Sequence, residues 1–144
     1  MVTDNLILGC GALILCSKTK RYLFLLRSNG KFADTWGLVG GKIEPEESIM
    51  AGLHREINEE LGGAIYQAKI IPIEKYTSSN EKFIYHTFLI KVDEEFVPEL
   101  NDEHKGYCWV GLDDYPQPLH PGIVRILTNA NIRQKIDTIQ NLKD

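Results

Sequence analysis

One segment, residues 48–63, restricts the possible folds more than any other part of the sequence. Four apolar residues recur there every four positions: Ile49, Leu53, Ile57 and Leu61. This spacing places side chains on one stripe of an α-helix. Gly62 and Gly63 follow at once, and glycine is common just after a helix C-terminus. The segment therefore predicts an amphipathic helix over Ser48–Leu61 that packs its apolar stripe on a core.

Runs rich in β-branched and long aliphatic residues flank this helix and predict strands. Before the helix they are Leu6–Leu8, Ala12–Cys16, Tyr22–Leu26 and Trp36–Val39. We expect Ser17–Lys20 to form a hairpin turn, and the Gly40–Gly41 pair to break the strand before it. After the helix the runs are Ile65–Tyr76, Phe83–Val92 and Tyr107–Val110. Apolar spacing between Ile123 and Ile139 indicates one or two closing helices.

Composition and length bound the class of protein. With 144 residues, 43% hydrophobic and 25% charged, the chain is typical of one soluble domain spanning residues 1–144. A net charge of −4 without a basic block argues against duplex nucleic acid as a partner. The longest apolar run, Leu6–Cys16, is too short to span a bilayer. Three cysteines without a Cys-x-x-Cys pair favour the reducing cytoplasm, and Cys108 is interpreted as a small buried thiol.

Three carboxylates crowd one edge of the predicted helix. At about 100° per residue, Glu56, Glu59 and Glu60 fall within roughly a third of its circumference. Like charges at this spacing destabilise an isolated helix by roughly 0.2–0.5 kcal/mol per pair, so the arrangement favours a bound cation. Mg²⁺ is the hard divalent ion that prefers such oxygen ligands. The alternative is a solvated acidic face with Arg55 paired to its neighbours. Gly52, one turn earlier, leaves room for a phosphate or for the preceding loop.

The context of these carboxylates is more specific than their spacing. The pattern runs Gly41, five residues, Glu47, seven residues, Arg55-Glu56-Ile57, one residue, Glu59-Glu60, one residue, Gly62. In this respect the chain resembles the Nudix hydrolase family, whose signature box is that pattern. The box covers residues 41–62, and the similarity runs roughly from Leu6 to the closing helix. Val39 and Gly63 depart from the usual proline and aliphatic residue, but neither removes a functional group.

The resemblance implies an α+β fold, namely an α/β/α sandwich with a mixed sheet and a loop-helix-loop catalytic motif. It implies Glu56 and Glu60 as principal Mg²⁺ ligands, with Mn²⁺ as a substitute, and Gly41 as the position whose backbone helps to shape the site. Glu59 matches a ligand or the general base, and Glu47 and Arg55 match an ion pair that orients the others. Glu103 resembles an additional ligand or base of some members, unless it is only a surface residue of its polar loop.

The resemblance also implies an activity. Family members cleave a diphosphate linked to another group, commonly a nucleoside, by attack of water at phosphorus. Bound Mg²⁺ would neutralise the polyphosphate and lower the pKa of the attacking water, while a carboxylate accepts the proton. The metal would also bring positive charge to a chain that is itself acidic. The resemblance therefore implies a small nucleotide as partner. Because homodimers are common in the family, it also allows for a second copy of the chain.

The residues that would contact the base lie outside the box. The candidates are Arg27, Phe32, Tyr76, Tyr85 and His120, and each has an ordinary structural alternative in the core, on the sheet surface or in solvent. Ser78-Ser79-Asn80 occupies the region where relatives specific for ADP-ribose or dinucleoside polyphosphates often carry proline or tyrosine. This favours a MutT-like enzyme that converts a (deoxy)nucleoside triphosphate to a monophosphate and pyrophosphate. The alternatives are ADP-ribose, nucleotide sugars, dinucleoside polyphosphates and capped RNA ends as substrates, or a module that senses a nucleotide without cleaving it.

Overall fold

The computed structural model describes residues 6–63, 65 and 68–143. In this part of the chain the strands are β1 (Ile7–Cys16), β2 (Arg21–Arg27), β3 (Trp36–Gly37), β4 (Val39–Lys42), β5 (Lys69–Thr77), β6 (Phe83–Val92) and β7 (His104–Val110). The helices are α1 (Ile49–Leu61), α2 (Pro121–Thr128) and α3 (Ala130–Gln140). None of the helices in these residues is long and apolar enough to cross a membrane.

Strand β1 organises the sheet because it pairs with three other strands. It runs antiparallel to β2 and β4 and parallel to β6 along its whole length. Strand β5 extends the sheet beyond β6, and β3 and β7 both pair with β2. The sheet is therefore mixed, as the family resemblance implied.

Alternation along β1 sends its side chains into two separate cores. Ile14 faces the core that Leu53 of α1 completes, whereas Leu13 faces the core that Ile126 of α2 and Ile136 of α3 complete. Helices thus cover both faces of the sheet, and the predicted α/β/α sandwich is confirmed.

Helix α1 begins and ends as the sequence predicts. The Ser48 side chain caps it by accepting a hydrogen bond from the Ala51 N–H at 3.1 Å. Gly62 ends it in the left-handed region, with φ of 74°, where a side chain would be strained. The two closing helices are also confirmed, and Asn129 separates them as the C-cap of α2 and the N-cap of α3.

Two predictions about strands next to glycines are wrong, namely that Leu6–Leu8 and Ala12–Cys16 are separate runs and that the Gly40–Gly41 pair breaks a strand. Strand β1 is continuous through Gly9 and Gly11, and Gly40 and Gly41 lie inside β4 instead of ending a strand. A Cβ on Gly40 would lie 2.2 Å from the carbonyl oxygen of Cys10. Glycine is present there because the two paired backbones approach too closely for a side chain.

Two further boundaries, and the burial of Cys108, differ from the sequence prediction. The strand predicted over Ile65–Tyr76 begins only at Lys69, and Tyr66 and Gln67 lie outside the described residues. The last strand begins three residues early, at His104, because a bulge lets β7 continue its pairing with Arg27 at the end of β2. The three cysteines are free thiols, and Cys108 is only partly buried.

Candidate functional site

Arg55 on α1 connects the loop before the helix to the carboxylates on the helix. Its Nε and Nη2 donate to the two carboxylate oxygens of Glu47 at 2.8 and 3.0 Å. Nη2 also donates to the Lys42 carbonyl at 2.8 Å, and Nη1 donates to Glu56 at 2.9 Å. The hydrogen bonds from Arg55, followed by one from the Glu44 N–H, hold the pKa of Glu47 at about 2. The pair therefore stays charged at neutral pH and fixes the loop against the helix.

Two glycines of the box leave space that carboxylates fill. A Cβ on Gly41 would lie 2.3 Å from Glu56 Oε2, so only glycine lets this carboxylate rest against β4. A Cβ on Gly52 would lie 3.1 Å from Glu47 Oε1 and 3.2 Å from Ile43 Cγ1. Of the two occupants that the sequence allowed beside Gly52, the preceding loop takes the place.

Glu60 is the most deeply buried carboxylate of the site, with 1% of its side chain exposed. Its Oε1 accepts a hydrogen bond from the Gly40 N–H at 3.2 Å. Burial, and then the neighbouring Glu56 carboxyl, raise the pKa of Glu60 above its ordinary value. A carboxylate in such surroundings becomes a stable anion when a cation binds beside it.

His104 is a site residue that sequence reasoning missed. Its Nδ1 lies 3.8 Å from Glu60 Oε1, too far for a hydrogen bond. Both ring nitrogens are buried, and neither has a hydrogen-bond partner among the described residues. Burial, and then the charge of Arg27, lower the pKa of His104 to about 4, so the ring is neutral at pH 7. Its place directly after Glu103 was the only feature of the sequence that pointed to it.

Glu59 and Glu103 occupy different positions relative to the cavity over α1. Glu59 is half exposed at the outer edge, where Arg55 Nη1 donates to it at 3.3 Å, and it does not line the cavity. Glu103 lies in the turn before β7 and does line it. The charge of Glu103 also contributes to the raised pKa of Glu60. Residues from three regions thus meet in one cavity of about 430 Å³, which we call the carboxylate cavity. Its lining includes Arg27, Gly41, Arg55, Glu56, Glu60, Glu103 and His104.

A second cavity, which we call the aromatic cavity, adjoins the first on the α2 side of the sheet. Its floor is Tyr85, whose ring lies over two glycines of β1. A Cβ on Gly9 would lie 2.8 Å from ring Cδ2, and one on Gly11 would lie 2.2 Å from the hydroxyl oxygen. Helix α2 also lines this cavity, with Ile123 and Arg125.

The predicted base-contact residues divide into two groups. Arg27, Tyr85 and His120 all line the aromatic cavity, and Arg27 lines the carboxylate cavity as well. Phe32 does not line it but contacts the His120 ring edge-on, with ring centroids 4.5 Å apart. Tyr76 lies against the Arg125 guanidinium, whose carbon is 4.0 Å from the ring centroid. Arg125 is the second site residue that the sequence did not reveal.

Comparison with known proteins agrees with this architecture. The model of the NUDIX domain family matches residues 7–130, which is most of the chain. The chain belongs to the Nudix family. The match includes the whole carboxylate cavity and the part of α2 that lines the aromatic cavity.

Relatives of this Nudix chain include enzymes. It is 32% identical over 119 residues to the nucleoside triphosphatase NudI of Escherichia coli O1:K1, covering 76% of this chain and 79% of the relative. A MutT NUDIX hydrolase structure from Burkholderia pseudomallei matches with a TM-score of 0.65 and 32% identity, over 81% of this chain and 91% of that one. The NUDIX domain of Shewanella oneidensis NrtR, complexed with ADP ribose, shares the fold with a TM-score of 0.72 and 19% identity, over 93% and 88%. This Nudix chain is a hydrolase of pyrophosphate bonds.

Nudix hydrolases generally use divalent metal cations, and the donor set of this site fits one. Glu56 and Glu60 offer carboxylate oxygens, the ligands that hard divalent ions prefer, and both lie against glycines of β4. Arg55 holds one oxygen of Glu56. Among residues 6–63, 65 and 68–143, no three His, Cys, Asp or Glu side chains already stand at ligand spacing.

Proposed function

We propose that this Nudix hydrolase is a Mg²⁺-dependent nucleoside triphosphate pyrophosphohydrolase, which releases a nucleoside monophosphate and pyrophosphate. One observation carries the proposal: Arg27 lines both the carboxylate cavity and the aromatic cavity. A nucleotide has a charged end and a flat aromatic end, and the two adjoining cavities suit these two ends. The guanidinium between them is suited to contact a phosphate oxygen.

In this proposal Glu56 and Glu60 are the Mg²⁺ ligands, and the backbone at Gly41 shapes the site beside them. When bound, Mg²⁺ supplies charge neutralisation of the polyphosphate and a lower pKa for the attacking water. Arg55, held by Glu47, is a positioning residue that keeps Glu56 in place through its 2.9 Å hydrogen bond. Burial of Glu60 excludes bulk water from the deepest ligand.

We assign the general-base role to Glu103 and not to Glu59. Glu103 lines the cavity, so its carboxylate can accept a proton from a water that attacks phosphorus there. Glu59 lies at the outer edge, where its charge is partly neutralised by Arg55. Glu103→Gln should therefore lower kcat more than Glu59→Gln does, and the reverse order would exchange the two roles.

The aromatic cavity is the base site in this proposal. The Tyr85 ring lines this cavity and offers a flat surface for stacking, and His120, the N-cap of α2, lines the same cavity. The relationship to NudI, named a nucleoside triphosphatase, supports a triphosphate over the alternatives. The three free cysteines agree with the cytoplasm as the place of action.

A hydrolysis screen with Mg²⁺ tests the proposal. The substrates are canonical and oxidised (deoxy)nucleoside triphosphates, ADP-ribose, nucleotide sugars and diadenosine polyphosphates, with products separated by chromatography. We expect pyrophosphate and a monophosphate from a triphosphate, with the highest kcat/KM of the set, and no turnover by Glu60→Gln. A higher kcat/KM for a diphosphate conjugate would overturn the substrate assignment. Tight nucleotide binding without turnover in excess Mg²⁺ would instead favour a sensing module.

A further inference from the structure

The charged side chains on the wall of the aromatic cavity are hydrogen-bond donors. Arg27 and Arg125 carry guanidinium groups, which only donate hydrogen bonds. In the described part of the chain, the residues that line this cavity include no carboxylate and no amide side chain. The wall is therefore rich in donors and poor in side-chain acceptors.

His120 adds a third donor because of a contact within its own turn. Its Nδ1 accepts a hydrogen bond from the Gly122 N–H at 3.0 Å, which caps α2. Burial, and then the charge of Arg27, lower the pKa of His120, so the ring is neutral at pH 7. In a neutral imidazole whose Nδ1 accepts, the proton is on Nε2. The nitrogen left to meet a ligand is thus an N–H donor.

Arg125 is held in place although its hydrogen-bonding capacity is not filled. Its Nη2 donates to Glu74 at 2.7 Å, and its guanidinium stacks on Tyr76. Its Nε is buried and has no hydrogen-bond partner within the described residues, and the same is true of Arg27 Nε. A guanidinium has five N–H groups, and within the described residues Arg125 uses only Nη2 in a side-chain hydrogen bond. Its outer N–H groups can therefore donate to a ligand that brings acceptors into this cavity.

We propose that the aromatic cavity selects nucleobases that carry an exocyclic carbonyl over those that carry an amino group at the same position. The favoured bases are uracil, thymine, guanine and hypoxanthine, and the disfavoured ones are cytosine and adenine. This inference rests on the proposed function, because it places the base of the nucleotide on Tyr85. A carbonyl oxygen accepts from the donors of the wall, whereas an amino group sets donor against donor.

Two substrate pairs test the inference on the unmodified enzyme. Within each pair a carbonyl is exchanged for an amino group at one position, and the adjacent ring nitrogen loses its hydrogen. The pairs are dUTP against dCTP, and dITP against dATP. We expect kcat/KM to favour the carbonyl member about fivefold or more in both pairs, which is the ratio that corresponds to the lower end of the cost of a mismatched base-edge contact, about 1–3 kcal/mol. Equal kcat/KM values within both pairs, or a preference for the amino members, would overturn the inference and leave the proposed function intact.

Variants then test which side chain reads the base. Arg125→Gln replaces a pure donor by a group that can also accept, and it releases the Glu74 carboxylate. We expect it to reduce the preference within each pair severalfold. Arg133→Gln is the matched control. Arg133 lies on α3 and forms ion pairs with Asp113 and Asp137, but it does not line the aromatic cavity. A preference unchanged in Arg125→Gln would remove Arg125 from the assignment.

If none of the triphosphates is hydrolysed, the proposed function fails. The base preference of the aromatic cavity is then measured as a difference in nucleotide affinity. Calorimetric titration with dUMP and dCMP compares the same exocyclic groups without any reaction. Tighter binding of dUMP would support the inference, and equal or weaker binding would refute it.

Discussion

Replacing Gly11 with alanine tests whether the floor of the aromatic cavity depends on glycine in β1. An added Cβ would lie 2.2 Å from the Tyr85 hydroxyl oxygen, whereas nonbonded atoms pack best at about 3.5–4.0 Å. The ring must therefore move by about 1 Å, or the strands must separate. Overpacking of this kind costs about 1–3 kcal/mol, and we expect Gly11→Ala to lower the free energy of unfolding by that amount.

Tyr85→Phe identifies the hydroxyl as the cause of this loss. Without the oxygen, the nearest atoms to the added Cβ are ring Cζ and the Val39 carbonyl oxygen, both at 3.1 Å, and small shifts relieve such contacts. We expect Gly11→Ala to cost less than about 1 kcal/mol in the Tyr85→Phe background, so that the two substitutions are coupled. Urea unfolding of the wild type, both single variants and the double variant measures the coupling.

Gly106→Ala is the control for this experiment. Gly106 is also a strand glycine, but its added Cβ would meet only Leu26 side-chain atoms at 3.6 Å, an ordinary contact. It should change the unfolding free energy by no more than about 0.5 kcal/mol. Additive costs in the double variant would refute the contact between Gly11 and the Tyr85 ring. A folded Gly11→Ala enzyme with unchanged kcat/KM for every nucleotide would refute the role of that ring as the base platform.

Three other predictions concern the carboxylate cavity. Glu60→Gln should abolish detectable Mn²⁺ binding in an electron paramagnetic resonance titration, and unchanged Mn²⁺ affinity would exclude Glu60 as a ligand. The same substitution should stabilise the metal-free protein, because it replaces a buried carboxylate by a neutral amide. Since Arg55 lowers the pKa of Glu47 from 4.5 to about 2, their pairing stabilises the fold above pH 4.5 and is lost as the pH falls through about 2. The stability difference between wild type and Glu47→Gln should therefore shrink over that range in thermal unfolding, and a constant difference would contradict it. His104→Phe keeps a buried ring without its nitrogens, so it should leave the melting temperature unchanged or higher, whereas a clear fall would mean that the nitrogens are paired in solution.

The sequence predicted the α1 unit well because the information there is local. Ser48 and Gly62 act on backbone groups within one turn of the helix, and the spacing of Glu56 and Glu60 fixes their common edge. The contacts of Arg55 with Glu47 and Glu56 also lie within nine residues of chain. Periodicity and capping describe such short-range geometry directly.

The aromatic cavity was predictable only in part, because it is built from distant segments. Gly11 and Tyr85 meet through the parallel pairing of β1 with β6, and no local pattern encodes that register. The sequence prediction left Gly9 and Gly11 between two separate apolar runs, although both glycines lie in β1 and leave space for the Tyr85 ring. Arg125 was missed because its partners Glu74 and Tyr76 are about fifty residues away.

A bulge at the end of the sheet explains why His104 and Arg27 stand together. Leu26 of β2 pairs with Gly106, but the next residue, Arg27, pairs with His104, so Lys105 is the extra residue of β7. Bulges bend a strand and redirect its side chains, and they are frequent beside active sites. This one lies where β2 and β7 meet the carboxylate cavity, and it places both a guanidinium and a buried imidazole on that cavity. The link between the two cavities thus depends on one extra residue in a strand, which neither hydrophobic periodicity nor the signature box reveals.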